Sequence, residues 1–179
     1  MRLFAAVDLP DSLKDRLDAL RAPVPGARWV NRHQMHLTLF FIGETDRVYE
    51  IETALELVRA APFDLLLSGV GRFPPGDRRP PRVLWAGIAP QPALLALQAQ
   101  VASALTALGF PAEDRPYSPH LTLARVRAER PLPEAERFLQ AHAGFRGGPV
   151  RVEAFTLYAS DLTPQGARYT PQAVYPLRG

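Results

Sequence analysis

Residues 115–125 read RPYSPHLTLAR, and the tetrapeptide His-Leu-Thr-Leu inside this stretch, at 120–123, occurs once more, letter for letter, at 36–39. Apolar and polar residues alternate in the tetrapeptide, which is the pattern of a half-buried β-strand. In such a strand the histidine and the threonine lie on one face and the two leucines on the other. The chain therefore offers two strands that each present an imidazole beside a hydroxyl, and we expect both to face one site.

The elements around the two copies repeat as well. Strand, helix, histidine strand, helix and strand follow one another twice, with an offset of about 84 residues. We interpret this order as an internal duplication of units at about 1–71 and 82–159, followed by a C-terminal strand. Several neighbouring strands are close enough to form hairpins, so the sheets are predicted to be mainly antiparallel. The sequence thus predicts an α+β fold, a single two-lobed domain over residues 1–179 with a cleft between pseudo-symmetric lobes.

Hydrophobic periodicity and proline positions place the individual elements. Besides the two histidine strands, strands are predicted at 2–9, 63–70, 82–88, 150–158 and 167–177. Helices are predicted at 12–22, 47–60, 94–108 and 133–142. The segment at 71–81 contains four prolines and three arginines and is predicted to be a loop.

Composition limits the possible classes of protein. The chain of 179 residues has 47% hydrophobic and 22% charged residues, as in a soluble globular domain. It has no cysteine, which excludes disulfides, thiol catalysis and cysteine-based metal sites. A net charge of +3 and a pI near 9.7 permit a polyanionic ligand without requiring one. With neither a signal peptide nor a membrane span in the sequence, we expect a cytoplasmic protein.

Two histidines at one phosphorus atom suit the hydrolysis of a phosphodiester. One group must take a proton from water and another must give one to the leaving oxygen. A histidine pKa of about 6.5 allows one ring to be neutral while the other is protonated. A threonine hydroxyl beside each ring can donate to a non-bridging phosphate oxygen in the transition state. This scheme needs no metal ion, and residue chemistry alone leaves open which histidine is the acid.

Other chemistries fit the sequence less well. A metal site would need carboxylates at ligand spacing, whereas the nearest acids fall in predicted loops: Glu44, Asp46, Glu113 and Asp114. No phosphate-binding loop surrounds Lys14, and Ser118 lacks the elbow context of a serine hydrolase. His33 and His142 lie outside the motifs and are taken as incidental. We therefore expect no metal and no cofactor.

The chain resembles bacterial members of the 2H phosphoesterase superfamily, in the branch of RNA 2′,3′-cyclic phosphodiesterases and 2′-5′ RNA ligases, a LigT-like fold. The resemblance extends from 2–8 to 160–164 and Tyr169, and it includes 36–43 and 115–125. It implies a V-shaped cleft with one motif on each wall. It also implies hydrolysis of RNA 2′,3′-cyclic phosphates to 2′-phosphates without metal or ATP. In some members of the branch, tRNA halves are joined reversibly through a 2′-5′ linkage.

Carried onto this chain, the resemblance makes His36 the proton donor to the leaving 3′ oxygen. His120 becomes the proton acceptor that activates water, and Thr38 and Thr122 hold the phosphate oxygens.

Further substrate-binding residues are expected around this set. Arg125 is predicted to be another phosphate clamp. Strict alternation puts Ala124 on the histidine face, so Arg125 would have to reach in from the strand end. Phe73 and Tyr117 are candidates for stacking on a base, although ordinary packing explains them equally well. The arginines of the proline-rich loop are expected to contact the RNA backbone: Arg72, Arg78 and Arg79.

The expected partner is an RNA with a 2′,3′-cyclic phosphate end, including tRNA halves, and the expected assembly is a monomer that does not bind membranes. Two alternatives remain open at this point. One is an RNA-end-binding module whose catalysis is vestigial, and the arginine-rich loop motivates it. The other is a phosphodiesterase for a small cyclic phosphate ester.

Overall fold

The computed structural model describes residues 1–179, which form nine strands and four α-helices. The strands are β1 (Arg2–Asp8), β2 (Ala27–Trp29), β3 (His36–Glu44), β4 (Phe63–Phe73), β5 (Val83–Ile88), β6 (His120–Val126), β7 (Arg146–Val152), β8 (Ala154–Thr163) and β9 (Gly166–Pro176). The helices are α1 (Asp11–Asp18), α2 (Val48–Leu55), α3 (Pro92–Ala107) and α4 (Pro133–Ala141), and a 3₁₀ turn covers Arg32–Gln34. No helix has both the length and the apolar character that crossing a membrane requires.

The strands form two sheets, and every pairing is antiparallel. A four-stranded sheet has the order β3-β1-β8-β9, and a five-stranded sheet has the order β2-β6-β5-β4-β7. One histidine strand therefore lies in each sheet. The predicted α+β fold with two antiparallel sheets is confirmed.

Each sheet combines strands from both predicted repeat units. β4 closes the first unit but pairs with β5, the first strand of the second unit. In the same way, β8 lies in the second unit and pairs with β1. The two lobes are therefore not the two units 1–71 and 82–159 themselves, because each unit gives its last strand to the other sheet. The internal duplication stays a prediction, and this reciprocal exchange is compatible with it.

Several element boundaries differ from the prediction, among them that of α1, which ends at Asp18 and not at residue 22. The expected strand at 150–158 is two strands, β7 and β8, which lie in different sheets and are separated at Glu153. Apolar residues stand on both sides of Glu153, at Val152, Ala154 and Phe155, and this hides the break. Helix α2 is shorter than predicted, and β4 extends to Phe73, into the segment that the prolines marked as a loop.

One hydrophobic core joins the two sheets and the helices. It contains 37 buried residues drawn from both sheets, including both leucines of each motif. Helices α2 and α3 pack together, and α3 also contacts β3 of the four-stranded sheet. Helix α1 contacts β7, while Phe138 of α4 packs edge-on against Trp29 of β2, both in the five-stranded sheet. Each sheet thus carries two helices.

Both histidine strands contain a β-bulge at the same place. In β3 the register shifts so that Phe40 and Thr38 oppose adjacent residues of β1, which leaves Leu39 as the extra residue. In β6 the same shift against β5 leaves Leu123 as the extra residue. The leucine and the next residue are both buried in each strand, so the side-chain alternation reverses beyond the bulge. The shared irregularity supports the predicted duplication.

Candidate active site

His36 stands at the start of β3 among aromatic side chains from three strands. Its ring centroid lies 4.5 Å from that of Tyr158, 5.5 Å from Tyr169 and 6.3 Å from Phe4. Phe4 and Tyr158 are buried in a small cluster separate from the main core, with Tyr169 packed against it. Only 7% of the His36 side chain is exposed, so the imidazole lies in a largely apolar setting.

Burial has a large effect on the charge of His36. Loss of hydration lowers the pKa of His36 to about 4, because the protonated ring is the form that burial disfavours. Asp8 and the carbonyl of Gln34 raise this pKa, and Lys14 lowers it further, but none of them outweighs burial. In the free protein at neutral pH the ring is therefore uncharged.

His120 begins β6 in a different setting. Its Nδ1 lies 2.9 Å from the carbonyl oxygen of Ser118. Phe73 approaches the ring edge-on, with centroids 5.1 Å apart, and Trp85 lies at 6.3 Å. A ring that donates Nδ1–H to a carbonyl has an unprotonated Nε2 when neutral, so the backbone of Ser118 fixes the tautomer that can accept a proton.

The two rings have similar backbone neighbours but different ionic ones. The carbonyl two residues before each histidine faces its ring: that of Gln34 raises the pKa of His36, and that of Ser118 lies 2.9 Å from His120 Nδ1. Nε2 of His36 lies 3.7 Å from a carboxylate oxygen of Asp8, whereas no acidic side chain pairs with His120. This carboxylate is the difference that bears on which ring donates the proton.

Tyr117 links the two histidine strands. It lies three residues before His120, and its hydroxyl donates a 2.8 Å hydrogen bond to the carbonyl of Thr38 in the other sheet. Its ring is largely enclosed, and burial raises the pKa of its hydroxyl, which therefore stays a neutral donor. A second link is the hydrogen bond from Val30 N to the carbonyl of Leu123, just before the 3₁₀ turn that leads to His36. The two motifs are thus held beside each other by backbone-directed contacts.

Arg125 shares the face of His120 and Thr122. The expectation that Ala124 lies on this face and that Arg125 must reach in from the strand end is wrong. The bulge at Leu123 turns Ala124 into the core and leaves Arg125 exposed. A guanidinium on this face can pair with phosphate or stack on a base.

Phe41 occupies the corresponding position of β3, five residues after His36. Because the bulge is shared, Phe41 follows Thr38 on the same face, and 65% of it is exposed. Its ring lies 6.1 Å from Phe4, at the edge of the aromatic surroundings of His36. Arg125 likewise lies five residues after His120, and this equal spacing is the sequence signal that could have identified Phe41.

The arginines of the proline-rich segment divide into two groups. Arg72 is buried, forms a 2.6 Å ion pair with Glu136 of α4 and donates to the carbonyls of Pro74 and Arg79. Its guanidinium is occupied within the fold and is not available to RNA, contrary to expectation. Arg78 and Arg79 are exposed in the segment after β4.

Phe73, at the end of β4, lies against the His120 ring, and 37% of it is exposed. It stays a candidate for contact with a base. Tyr117 is placed as the link between the two strands. It is half-buried and lines the depression beside Ser118, and its stacking on a base stays a prediction.

Two depressions flank the histidines. One, of about 460 Å³, lies between the 3₁₀ turn and the β8–β9 hairpin and is lined by His33, Gln34, Arg168 and Tyr169 among others. The other, of about 480 Å³, lies beside the loop that carries Ser118. His33 therefore lies on the surface next to Tyr169, which packs against His36. No group of three or more His, Asp or Glu side chains is arranged to hold a metal ion.

Comparison with known proteins shows the class to which this fold and site belong. The model of the family described as the 2′-5′ RNA ligase superfamily matches residues 9–164. A protein of Archaeoglobus fulgidus named RNA 2′,3′-cyclic phosphodiesterase is 35% identical over 98% of this chain and 99% of its own length. The crystal structure of TT0787 of Thermus thermophilus superposes with a TM-score of 0.78 at 34% identity, covering 100% of this chain and 99% of that one. E. coli LigT complexed with 3′-AMP gives a TM-score of 0.78 at 28% identity, covering 99% of this chain and 98% of that one.

The chain therefore belongs to the 2′-5′ RNA ligase superfamily. The predicted resemblance to 2H phosphoesterases is confirmed, and so is the expectation that the chain is an enzyme of the cyclic phosphodiesterase type.

Removing the link between the strands tests its contribution. Tyr117→Phe deletes only the hydroxyl that donates to Thr38, and we expect the free energy of unfolding to fall by about 1 kcal/mol. Urea denaturation measures this change, and Tyr49→Phe, at an exposed tyrosine of α2, is the control that should change little. Equal stability of both variants and the parent would show that the bond does not hold the motifs together.

The low pKa of His36 predicts a pH dependence of stability. The unfolded chain takes up a proton near pH 6.5, whereas the folded chain takes it up only near pH 4. Stability from this group is therefore complete above pH 6.5 and falls as the pH is lowered to 4, by about 3 kcal/mol in total. As the pH is lowered from 6.5 to 4, the free energy of unfolding of the parent should therefore fall relative to that of His36→Gln, which has no ring to protonate. Parallel stability curves for the two proteins would contradict the assignment.

Proposed function

We propose that this chain hydrolyses terminal 2′,3′-cyclic phosphates of RNA to 2′-phosphates, by two-histidine acid–base catalysis without a metal ion. The observation that carries the proposal is the pair of His-x-Thr strands, one in each sheet, joined by the hydrogen bond from Tyr117 to Thr38. The names of the relatives support the substrate class. A 3′-AMP complex of a similar structure, E. coli LigT, is consistent with a nucleotide site.

In the proposed reaction, His120 Nε2 takes a proton from a water molecule while the water oxygen forms a bond to phosphorus. The bond from phosphorus to the 3′ oxygen breaks, and His36 gives its proton to that oxygen. The products are a 2′-phosphate and a 3′-hydroxyl, and the two histidines have exchanged their protonation states. A proton transfer between the rings and solvent resets the site.

The substrate itself supplies the charge that His36 needs. A cyclic phosphate diester carries one negative charge, and placing it beside a buried imidazole favours the protonated ring. The pKa of His36 therefore rises when substrate binds, from its low value in the free protein. His36 is therefore protonated, and able to act as the acid, only when substrate occupies the site.

The threonines and Arg125 stabilise the pentacovalent phosphorus. Thr38 and Thr122 share the faces of His36 and His120 and are half-buried. Their hydroxyls are suited to donate to the non-bridging oxygens, where negative charge collects in the transition state. Arg125 adds a cation on the same face as His120.

The RNA chain beyond the terminal nucleotide would lie along the depressions beside the histidines. Phe73 is exposed beside the His120 ring, and Arg78 and Arg79 are exposed in the segment that follows it. In the 2′-5′ ligation reaction that the family name describes, a ribose 5′-hydroxyl would replace water at the same phosphorus. We include this activity, and tRNA halves as its substrates, in the proposal. A cytoplasmic monomer remains the expected context.

Substituting the histidines tests the mechanism. His36→Gln and His120→Gln should each lower kcat by about 10²–10⁴-fold, since each removes a proton-transfer group. His142→Gln, at the end of α4 and packed on Phe138, is the matched control and should retain activity. Turnover is measured on a cyclic-ended oligoribonucleotide and on a cyclic mononucleotide, with and without EDTA, and circular dichroism confirms folding.

The same assay separates the alternatives. Tight binding of the oligomer without product at any pH would favour the RNA-end-binding module, while turnover of the mononucleotide alone would favour a small-ester phosphodiesterase. Loss of turnover in EDTA would overturn the metal-free mechanism. Full activity of either motif variant would overturn the assignment of its histidine.

A further inference from the structure

The two histidines face different residues on the neighbouring strand. Asp8, the last residue of β1, is the cross-strand partner of His36. The corresponding residue of β5 opposite His120 is Gly87, which has no side chain. The near two-fold relation of the motifs is therefore broken by one carboxylate, which lies on the His36 side only.

Three groups lie around the Asp8 carboxylate. Its Oδ1 accepts a 2.9 Å hydrogen bond from the backbone N–H of Leu9 and lies 3.4 Å from Nζ of Lys14. The same oxygen lies 3.7 Å from Nε2 of His36. This last distance is an ion-pair separation that exceeds a hydrogen bond, so Asp8 acts on the ring through its charge.

Lys14 is the only lysine of the chain, and the other basic side chains among its 21 are arginines. It extends from α1 to Asp8, and only 13% of its side chain is exposed. It therefore opposes Asp8: the carboxylate favours a charged His36, and the ammonium disfavours it.

No other charged group competes at this position. The side chains that face His36 from β8 and β9 are Tyr158 and Tyr169. Burial raises the pKa of Tyr158 to about 12, so this hydroxyl stays neutral. Asp8 on β1 and Lys14 on α1 are thus the two ionic groups around the ring.

We propose that Asp8 is a positioning residue that makes His36, and not His120, the proton donor, and that Lys14 limits this effect. The inference rests on the proposed two-histidine mechanism. When the phosphate enters, Asp8 stabilises the imidazolium that donates to the 3′ oxygen. Lys14 offsets the repulsion between Asp8 and the phosphate, which would otherwise weaken substrate binding.

Histidine titration by NMR tests the charge coupling without any turnover. The four imidazoles are followed from pH 3.5 to 8.5 and assigned with single histidine-to-glutamine variants. Asp8→Asn retains an oxygen for the Leu9 N–H and should lower the pKa of His36 relative to the parent. Lys14→Met retains the aliphatic stem and should raise it. The control is Asp64→Asn, at a strand aspartate that also lies 3.4 Å from a cation, Arg151, and is similarly exposed.

Kinetics test the consequence for the reaction. We expect Asp8→Asn to lower kcat about 10-fold at neutral pH and to move the alkaline limb of the pH profile down by about one unit. Lys14→Met should move that limb up and raise KM, because the carboxylate then repels the phosphate unopposed. A merely structural role would lower activity in both variants without moving the limb in opposite directions.

The proposal is overturned if Asp8→Asn and the control Asp64→Asn give the same His36 pKa and the same alkaline limb of the pH–rate profile. It is also overturned if Asp8→Asn moves the acidic limb instead of the alkaline one. If Asp8→Asn fails to fold, Lys14→Met alone decides, since no upward shift of the His36 titration would contradict the coupling. Failure of the proposed function is recognised separately. In that case His36→Gln keeps full activity, while Asp8→Asn and Lys14→Met still change the pKa of His36 in the NMR titration.

Discussion

Burial of two leucines in each motif is the constraint on which the site depends. Leu37 and Leu39 of β3, like Leu121 and Leu123 of β6, belong to the single core that joins both sheets. Each buried leucine contributes about 2 kcal/mol of transfer free energy. A slip of either strand by one residue would expose its leucines and bury its histidine and threonine, so the core fixes the direction of both polar side chains. The chemistry is thus oriented by residues that take no part in it.

The bulge after each motif extends this constraint along the strand. A regular strand would place the fifth residue after the histidine on the core face. The extra leucine reverses the alternation, so that Phe41 and Arg125 follow the threonines on the open face. One backbone irregularity, repeated in both sheets, therefore adds an aromatic ring to one side of the site and a cation to the other. A ring and a guanidinium are the groups that proteins use for stacking on single-stranded nucleic acid and for pairing with its charge.

The sequence was sufficient for the motif strands and the class of fold because both follow from local periodicity. It was insufficient wherever long-range pairing decides the outcome. The exchange of β4 and β8 between sheets, the break at Glu153 and the ion pair that withdraws Arg72 from the surface all depend on residues far apart in the chain. A β-bulge breaks the strict two-residue alternation of a strand, which is why alternation predicted the wrong face for Arg125. The position of Asp8 beside His36 likewise depends on the register between β1 and β3, which no local pattern reveals.

The lysine at position 14, in a chain whose other Lys and Arg side chains are all arginines, fits the arrangement around His36. Aromatic rings exclude water from the imidazole, while Asp8, 57% exposed, borders the solvent. An arginine would pair with both oxygens of Asp8 and draw the carboxylate away from the imidazole. The compact ammonium of Lys14 lies 3.4 Å from one oxygen, which also faces His36 at 3.7 Å. Lysine can therefore moderate Asp8 without replacing His36 as its partner, and in the proposed mechanism this short chain of charges adds to the different surroundings of the two histidines.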